Sequence, residues 1–138
     1  MLFYEIKVNY ERQTGEDNPG KVRETYLVEG INCSDVETRL LEELKPLIFG
    51  ECEVPTCTKR QFFEIITSAE GDKWYKARVE MITIEDDGKE SRKAVSMLVQ
   101  GSSIDSALNN LKREVGGYDC EIISLAKSPI LEVYRAIK

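Results

Sequence analysis

One pattern constrains this chain more than any other: its second half repeats its first half at a constant spacing. The segment Phe3-Tyr4-Glu5-Ile6-Lys7-Val8 matches Trp74-Tyr75-Lys76-Ala77-Arg78-Val79 after a shift of 71 residues (74 − 3). The same shift places Tyr26-Leu27-Val28 on Met97-Leu98-Val99 without a gap. A shared spacing over so long a stretch indicates a tandem duplication, because chance similarity does not keep its register.

The register changes only once along the chain. Cys52-Glu53-Val54 matches Cys120-Glu121-Ile122 after a shift of 68 residues (120 − 52), so the second copy is shorter by three residues at this point (71 − 68). We therefore divide the chain into a first repeat at residues 1–68 and a second at residues 69–138. No linker separates the two copies, which predicts one compact globular unit.

Each copy has the patterns of two strands, one helix and two further strands. Tyr4, Ile6 and Val8 alternate with polar residues, which is the two-residue period of a half-buried strand. Ser34 with Glu37 predicts a capping box at the start of the first helix. Apolar residues at helical spacing follow in both copies and predict buried helix faces. They are Val36, Leu40, Leu41 and Leu44 in the first copy, and Ile104, Ala107, Leu108, Leu111 and Val115 in the second, where Ser103 is the predicted cap.

The predicted fold is α+β, built from a tandem duplication of a β-β-α-β-β unit. We expect two helices packed on a largely antiparallel sheet of about eight strands, related by a pseudo-twofold axis. The composition suits such a core, with 41% apolar and 32% charged residues. Leu27 and Leu98 lie in segments that are apolar on both strand faces, so a second copy of the chain is the simplest cover for the outer face. The sequence therefore predicts a homo-oligomer.

Catalytic chemistry finds little support in the residue types present. The chain has no histidine, which removes the usual general base near neutral pH and the commonest metal ligand. Its four cysteines are expected to be reduced and structural. Cys52 and Cys57 are five residues apart, an odd separation that points them to opposite faces of a strand and away from one metal ion. We predict no catalytic residues, no metal, no cofactor and no enzymatic activity.

The location and the class of partner are bounded by hydropathy and charge. No apolar run approaches the roughly 18 residues that cross a bilayer, and the first residues do not resemble a signal peptide. We therefore expect a cytoplasmic protein that does not bind membranes. The net charge of −6 disfavours non-specific binding of duplex DNA, which usually requires a basic protein.

The chain resembles an uncharacterised family of small proteins from Bacteroidota and their phages, a "domain of unknown function". The resemblance rests on the aromatic first strand, Tyr26-Leu27-Val28, Leu44-Lys45-Pro46, Trp74-Tyr75-Lys76 and Met97-Leu98-Val99-Gln100. It covers most of the chain and supports the fold and the origin. It implies no catalytic residue.

The most suggestive functional pattern is an aromatic residue four positions ahead of a cation in each copy. Phe3 and Lys7 form it in the first copy, and Trp74 with Lys76 and Arg78 in the second. Nucleobases stack on aromatic rings while cations contact phosphates, so an open sheet face with these five residues suits single-stranded nucleic acid. The alternative is a protein-interaction or assembly module that uses the same face. A purely structural interpretation also stays open, in which Phe3 and Trp74 seal the sheet edge or a dimer interface and the cations only make it soluble. Of the functions considered, we favour single-stranded nucleic-acid binding and rank a small enzyme that uses carboxylates last.

Overall fold

The computed structural model describes residues 2–12 and 20–135 of the 138-residue chain. Within these residues the chain forms eight strands and two helices, which confirms the α+β class. In chain order they are β1 (Leu2–Arg12), β2 (Gly20–Gly30), α1 (Cys33–Leu44), β3 (Ile48–Arg60), β4 (Glu64–Ile66), β5 (Lys73–Ile84), β6 (Glu90–Gly101), α2 (Ile104–Val115), β7 (Cys120–Lys127) and β8 (Ile130–Tyr134).

The chain divides into two compact units. Unit 1 comprises Met1–Gln61 with Pro129–Lys138, and unit 2 comprises Phe62–Ser128. The sheet of unit 1 (sheet 1) has the strand order β3-β1-β2-β8, and the sheet of unit 2 (sheet 2) has the order β4-β6-β5-β7. The single, largely antiparallel sheet predicted from sequence is therefore wrong. Both sheets are mixed, because β8 pairs parallel with β2 and β4 pairs parallel with β6.

The last strand of each repeat lies in the unit built mainly from the other repeat. The two sheets nevertheless have the same order. In the direction β7-β5-β6-β4, sheet 2 matches the order β3-β1-β2-β8 of sheet 1 strand by strand. Their registers also agree, since Tyr4 faces Val28 in sheet 1 and Tyr75 faces Val99 in sheet 2. Each residue of the second pair lies 71 positions after its counterpart in the first pair (75 − 4 and 99 − 28). The duplication and its pseudo-twofold axis stay predictions with which these pairings agree.

Each helix buries one apolar face against its own sheet. The buried residues of α1 are Val36, Leu40 and Leu44, and those of α2 are Ala107, Leu111 and Val115. These residues join the inward side chains of the strands in one core cluster per unit. Ile104 departs from the predicted stripe because it is the first residue of α2, where it remains 49% exposed.

The start of α1 differs from the prediction, whereas the start of α2 confirms it. The N-cap of α1 is Asn32, whose Oδ1 accepts from the Asp35 backbone N–H at 2.9 Å. The Asp35 carboxylate in turn accepts from the Ile31 N–H at 3.0 Å. Asn32 competes well with Ser34 for this position because both side chains are strong caps. In α2, Ser103 is the cap as predicted, and its partner in the capping box is Ser106.

A β-bulge in β3 reverses the predicted orientation of two cysteines. Lys7 faces Thr56 and Asn9 faces Glu53, so three steps along β3 oppose two steps along β1. One extra residue shifts the alternation by one position. Cys52 and Cys57 consequently both pack against the core of unit 1, and the prediction of opposite faces is wrong.

Close packing at the end of β6 yields a first testable prediction. A Cβ added at Gly101 would lie 2.8 Å from the Ala107 backbone nitrogen and 2.9 Å from its Cα. We expect Gly101→Ala to lower the free energy of unfolding by about 1–3 kcal/mol, because backbone of α2 must shift to admit the methyl group. The measurement is urea denaturation followed by circular dichroism.

Gly117→Ala is the matched control, since an added Cβ there meets nothing within 4 Å. That variant should remain close to the parent in stability. Equal stability of Gly101→Ala and the parent would contradict the close approach of β6 and α2.

Candidate binding surfaces

The five residues proposed for nucleic-acid binding lie on the first strand of each repeat. Phe3 and Lys7 belong to β1, and Trp74, Lys76 and Arg78 belong to β5. On both strands they alternate with residues of the core clusters, so their side chains lie on the face away from the helix. Lys7, Lys76 and Arg78 are exposed, as an outward position predicts.

The aromatic members of this set are less accessible than predicted. Trp74 is only 4% exposed, and its backbone carbonyl accepts from the N–H of buried Ser128 at 2.9 Å. Phe3 is half-buried, with the Arg135 guanidinium 5.8 Å from its ring centroid. Alternation predicts which face a side chain takes, but it does not predict whether that face meets water. The prediction of an exposed ring at Trp74 is therefore wrong, and no stacking platform is available there.

Leu27 and Leu98 were the basis for predicting a homo-oligomer. Both are fully buried in the single chain, at 0% exposure. They lie between residues of the core clusters along β2 and β6, so they occupy the faces away from the helices. These outer faces are covered at Leu27 and Leu98 without a second copy. Cover for Leu27 and Leu98 therefore no longer requires a homo-oligomer, which stays a prediction.

Further along sheet 2, the outer face carries a carboxylate-rich cluster. Arg92 donates through Nη1 to Glu121 at 2.6 Å and through Nε to Glu90 at 3.0 Å, and Glu80 lies 3.5 Å away. The hydrogen bond to Glu121 and that to Glu90 raise the pKa of Arg92 above its ordinary value. Arg92 thus contacts three carboxylates. Because Glu80 follows Arg78 on the same face of β5, the basic surface of this strand ends at Arg78.

A polar cluster in unit 1 was not anticipated from the sequence. The Glu24 carboxylate accepts hydrogen bonds from the hydroxyls of Tyr10 and of Tyr26, the latter at 3.0 Å. Arg12 donates through Nη2 to the Tyr10 hydroxyl at 2.8 Å and lies 3.4 Å from Glu24 Oε2. The signal in the sequence that could have revealed this cluster is Glu24, a charged residue at an inward position of β2. The positions that match this cluster after the 71-residue shift hold Met81, Thr83, Val95 and Met97, so unit 2 is apolar or uncharged there.

This cluster changes the acidity of its tyrosines. Burial and the hydrogen bond to Glu24 raise the pKa of Tyr10 to about 12. The same two causes raise the pKa of Tyr26. Burial also raises the pKa of Tyr134, whose ring lies 5.8 Å from that of Tyr26. None of these phenols ionises near neutral pH, so the hydroxyls of Tyr10 and Tyr26 remain hydrogen-bond donors to Glu24.

A cavity of about 1000 Å³ borders this region of sheet 1. Residues 9–11 of β1, 21–23 of β2 and 51–53 of β3 line it. Its cations are Lys21 and Arg23, and its carboxylates are Glu11, Glu51 and Glu53. Charges of both signs surround the cavity, so its lining favours no single class of small ligand.

Unit 2 displays a pair of aromatic side chains at its surface, which we call the aromatic pair. Phe63 is 45% exposed and Tyr118 is 49% exposed, and their rings meet edge to face with centroids 5.8 Å apart. The matching positions in unit 1 are Leu131 (63 + 68) and Leu47 (118 − 71), which are also exposed. Large apolar side chains thus remain in contact with water at the same two positions of both units.

The cysteines are not all reduced, contrary to prediction. Cys33 and Cys57 form a disulfide, with their Cα atoms 6.1 Å apart. The bulge in β3 makes this bond feasible, because it turns Cys57 toward the side on which α1 packs. Cys52 and Cys120 are free and half-buried, and burial raises the pKa of the Cys52 thiol.

Two further properties concern metals and membranes. Across residues 2–12 and 20–135, no group of three or more histidine, cysteine, aspartate or glutamate side chains is placed to hold a metal ion. Among the same residues, no helix is both long and apolar enough to cross a bilayer.

Comparison with known proteins identifies a family. No curated protein matches the chain. One family model matches residues 2–136, which is nearly the whole length and includes both repeats. The chain therefore belongs to this family, which is described as "Domain of unknown function (DUF4494)".

Proposed function

We propose that this chain is a non-enzymatic protein-interaction module whose contact surface is the aromatic pair, Phe63 with Tyr118. The single observation that carries the proposal is the exposure of two large rings in mutual contact, at 45% and 49%. Aromatic residues are enriched in the energetically important centres of protein interfaces.

The strand beside the aromatic pair supports the proposal. Phe63 immediately precedes β4, and β4 lies at one end of sheet 2, where β6 is its only neighbour among the strands that the structure describes. An extended segment can pair with such an edge through its backbone while alternate side chains contact adjacent apolar groups. The edge provides affinity, and the aromatic pair provides selectivity.

The charge of the surface indicates the chemistry of the partner. Glu64, the first residue of β4, is exposed next to Phe63, and the whole chain carries a net charge of −6. A cationic partner is attracted to an acidic protein and approaches it faster. The occupant we propose is an extended segment of another protein in which apolar residues alternate with lysine or arginine.

A displayed library of short random peptides tests this function. Selection on the parent protein should enrich peptides that alternate apolar and basic residues. Replacing both rings, Phe63→Ala with Tyr118→Ala, should weaken the enriched peptides by at least about thirtyfold, since loss of an interface anchor costs roughly 2 kcal/mol or more. Both side chains are half-exposed, so the double variant should still fold.

Ile84→Ala is the matched control, because Ile84 is an apolar residue of unit 2 that is 60% exposed away from β4. This variant should bind the selected peptides as the parent does. Peptides that bind the double variant equally well, or a selection that enriches nothing relative to it, would overturn the proposal.

A second candidate, single-stranded nucleic-acid binding, rests on Lys76 and Arg78. Both cations are exposed on one face of β5, and Arg78 is flanked across the sheet by the small residues Ser96 and Ser124. No ion pair involves Arg78 within the described part of the chain. Buried Trp74 cannot stack, so phosphate contacts would supply most of the affinity, with strong salt dependence.

Binding of labelled oligo-dT at increasing salt separates the two candidates. If nucleic acid is the partner, Arg78→Ala should flatten the salt dependence by about one contact. Lys93→Ala is the control, since Lys93 faces Met81 on the helix side of the same sheet. An absence of oligo-dT binding at low salt would remove this candidate and leave the protein-interaction proposal intact.

The cytoplasmic location, and the origin in Bacteroidota or their phages that the resemblance implies, are also proposals.

A further inference from the structure

The disulfide of unit 1 joins the start of a helix to an edge strand. Cys33 is the first residue of α1, and Cys57 lies on β3, which is at one end of sheet 1. Their Cα atoms are 6.1 Å apart, within the range of roughly 4.4–6.8 Å that disulfides adopt. The bond therefore ties α1 to β3 without requiring the backbone to move.

A groove that is open to solvent runs along the surface between α1 and β3. A cavity of about 490 Å³ lies along these two elements, lined by Thr38, Leu41, Glu42, Lys45, Ile48 and Cys52. Elsewhere α1 is held by its buried residues Val36, Leu40 and Leu44, and by a hydrogen bond from Arg39 to the Glu29 carbonyl. The disulfide is thus a covalent tie between two elements that have an open groove beside it.

Unit 2 has no such bond at the matching positions. They are Ile104 (33 + 71) and Leu125 (57 + 68), and Leu125 packs against the core of unit 2. Unit 2 instead secures the start of α2 through the reciprocal hydrogen bonds of Ser103 and Ser106. The start of α2 is therefore held without a disulfide, which gives the molecule an internal reference.

Both cysteines of the disulfide are partly exposed. Cys33 and Cys57 are half-buried, and Pro55, Thr56 and Thr58 around Cys57 are exposed. A thiolate must reach one sulfur of a disulfide along the bond axis, and accessible disulfides are the ones that exchange in the folded state.

We propose that Cys33–Cys57 is a reversible redox clasp that controls the order of the start of α1 in unit 1. A dithiol reductant attacks one sulfur as a thiolate and forms a mixed disulfide with it, releasing the other cysteine as a thiolate that takes up a proton. The second thiol of the reductant then displaces the first cysteine and closes its own disulfide. Two electrons and two protons pass to Cys33 and Cys57, and the S–S bond is the only bond of the protein that breaks.

The expected consequence is local. After reduction, Val36, Leu40 and Leu44 still bury one face of α1 from its fourth residue onward, so unit 1 stays folded. The first turn loses its covalent tie and retains noncovalent contacts, namely the Asn32 cap, the Asp35 contact to Ile31 and the Asp35–Arg39 ion pair. Opening of this turn changes the surface formed by α1 and β3, while α2 is unaffected.

Hydrogen exchange of the full chain, oxidised and then reduced with dithiothreitol in native buffer, tests the clasp. Amides in the first turns of α1 should exchange at least about tenfold faster after reduction, a conservative fraction of what a disulfide contributes. Amides of α2 should keep their rates. Oxidised glutathione should restore the slow exchange, and peptide mapping should recover the Cys33–Cys57 bond.

Three variants complete the design. Cys57→Ser should show the fast exchange of α1 without reductant, whereas Cys52→Ser and Cys120→Ser should respond to dithiothreitol as the parent does. Unchanged exchange of α1 on reduction would overturn the proposal. It would also be overturned by equal acceleration in α1 and α2, which indicates global unfolding, or by reoxidation that pairs Cys57 with Cys52 or Cys120.

Discussion

Leu98→Ala is expected to lower the free energy of unfolding by about 2–5 kcal/mol, the range for a buried leucine replaced by alanine. Leu98 is fully buried although it lies on the face of β6 away from α2. The loss combines the transfer free energy of the removed methyl groups with the cavity that remains. Urea denaturation followed by circular dichroism measures it directly.

Protein concentration is the variable that decides how Leu98 is covered. Because Leu98 has 0% exposure in one chain, the loss should be the same at low and at high protein concentration. Leu131→Ala provides the control, since this leucine is 48% exposed and its truncation should change stability little. A parent stability that rises with concentration, together with a small effect of Leu98→Ala in the dilute sample, would contradict cover within the chain.

Glu24→Ala is expected to destabilise the protein by about 2–4 kcal/mol, because it removes the shared acceptor of a buried network. The Tyr10 and Tyr26 hydroxyls lose their hydrogen-bond acceptor, and Arg12 loses its ion pair. Removing one partner of a buried pair typically costs 3–5 kcal/mol. We expect somewhat less because the Arg12 side chain is 35% exposed and keeps some contact with water.

Alkaline pH provides an independent measurement of the same network. An ordinary tyrosine titrates near pH 10, and the pKa of Tyr10 is raised to about 12. A raised pKa in the folded state means that the stabilisation is complete below about pH 10 and is lost as the pH rises toward about 12. Ultraviolet absorbance of tyrosinate, recorded beside the unfolding curve, follows this loss.

Glu24→Gln is the matched variant for the alkaline experiment. Glutamine keeps an oxygen acceptor but removes the negative charge that opposes ionisation of Tyr10 and Tyr26. This variant should therefore be more stable than Glu24→Ala and should begin to titrate at lower pH than the parent. Identical alkaline titrations of the parent and Glu24→Gln would show that Glu24 does not contact these hydroxyls.

Several elements of the candidate surfaces could be anticipated from the sequence, and others could not. The outward positions of Lys7, Lys76 and Arg78 follow from alternation along a strand, which depends only on neighbouring residues. The burial of Trp74 does not, because it depends on chain segments that alternation cannot locate. The aromatic pair was equally hidden, since Phe63 and Tyr118 are 55 residues apart (118 − 63) and meet only in the folded chain.

For the cysteines, too, the sequence predicts one part of the outcome and the tertiary structure decides the rest. Their number and spacing are properties of the sequence, but a single extra residue in β3 places Cys52 and Cys57 on one face. A bulge is a feature of strand pairing, and pairing involves hydrogen bonds between residues far apart in the chain. The disulfide between Cys33 and Cys57 is therefore a tertiary result.

The sequence by itself determined the α+β class, the order of strands and helices, the inward faces of the first strands and both helices, and the cap at Ser103. These features depend on local periodicity and on hydrogen bonds within a few residues. Only the tertiary structure decided that β4 pairs with β6, that β8 pairs with β2, and that two mixed sheets form in place of one. A strand pattern specifies which side chains point inward, whereas the choice of neighbour depends on backbone pairing and burial across the whole chain.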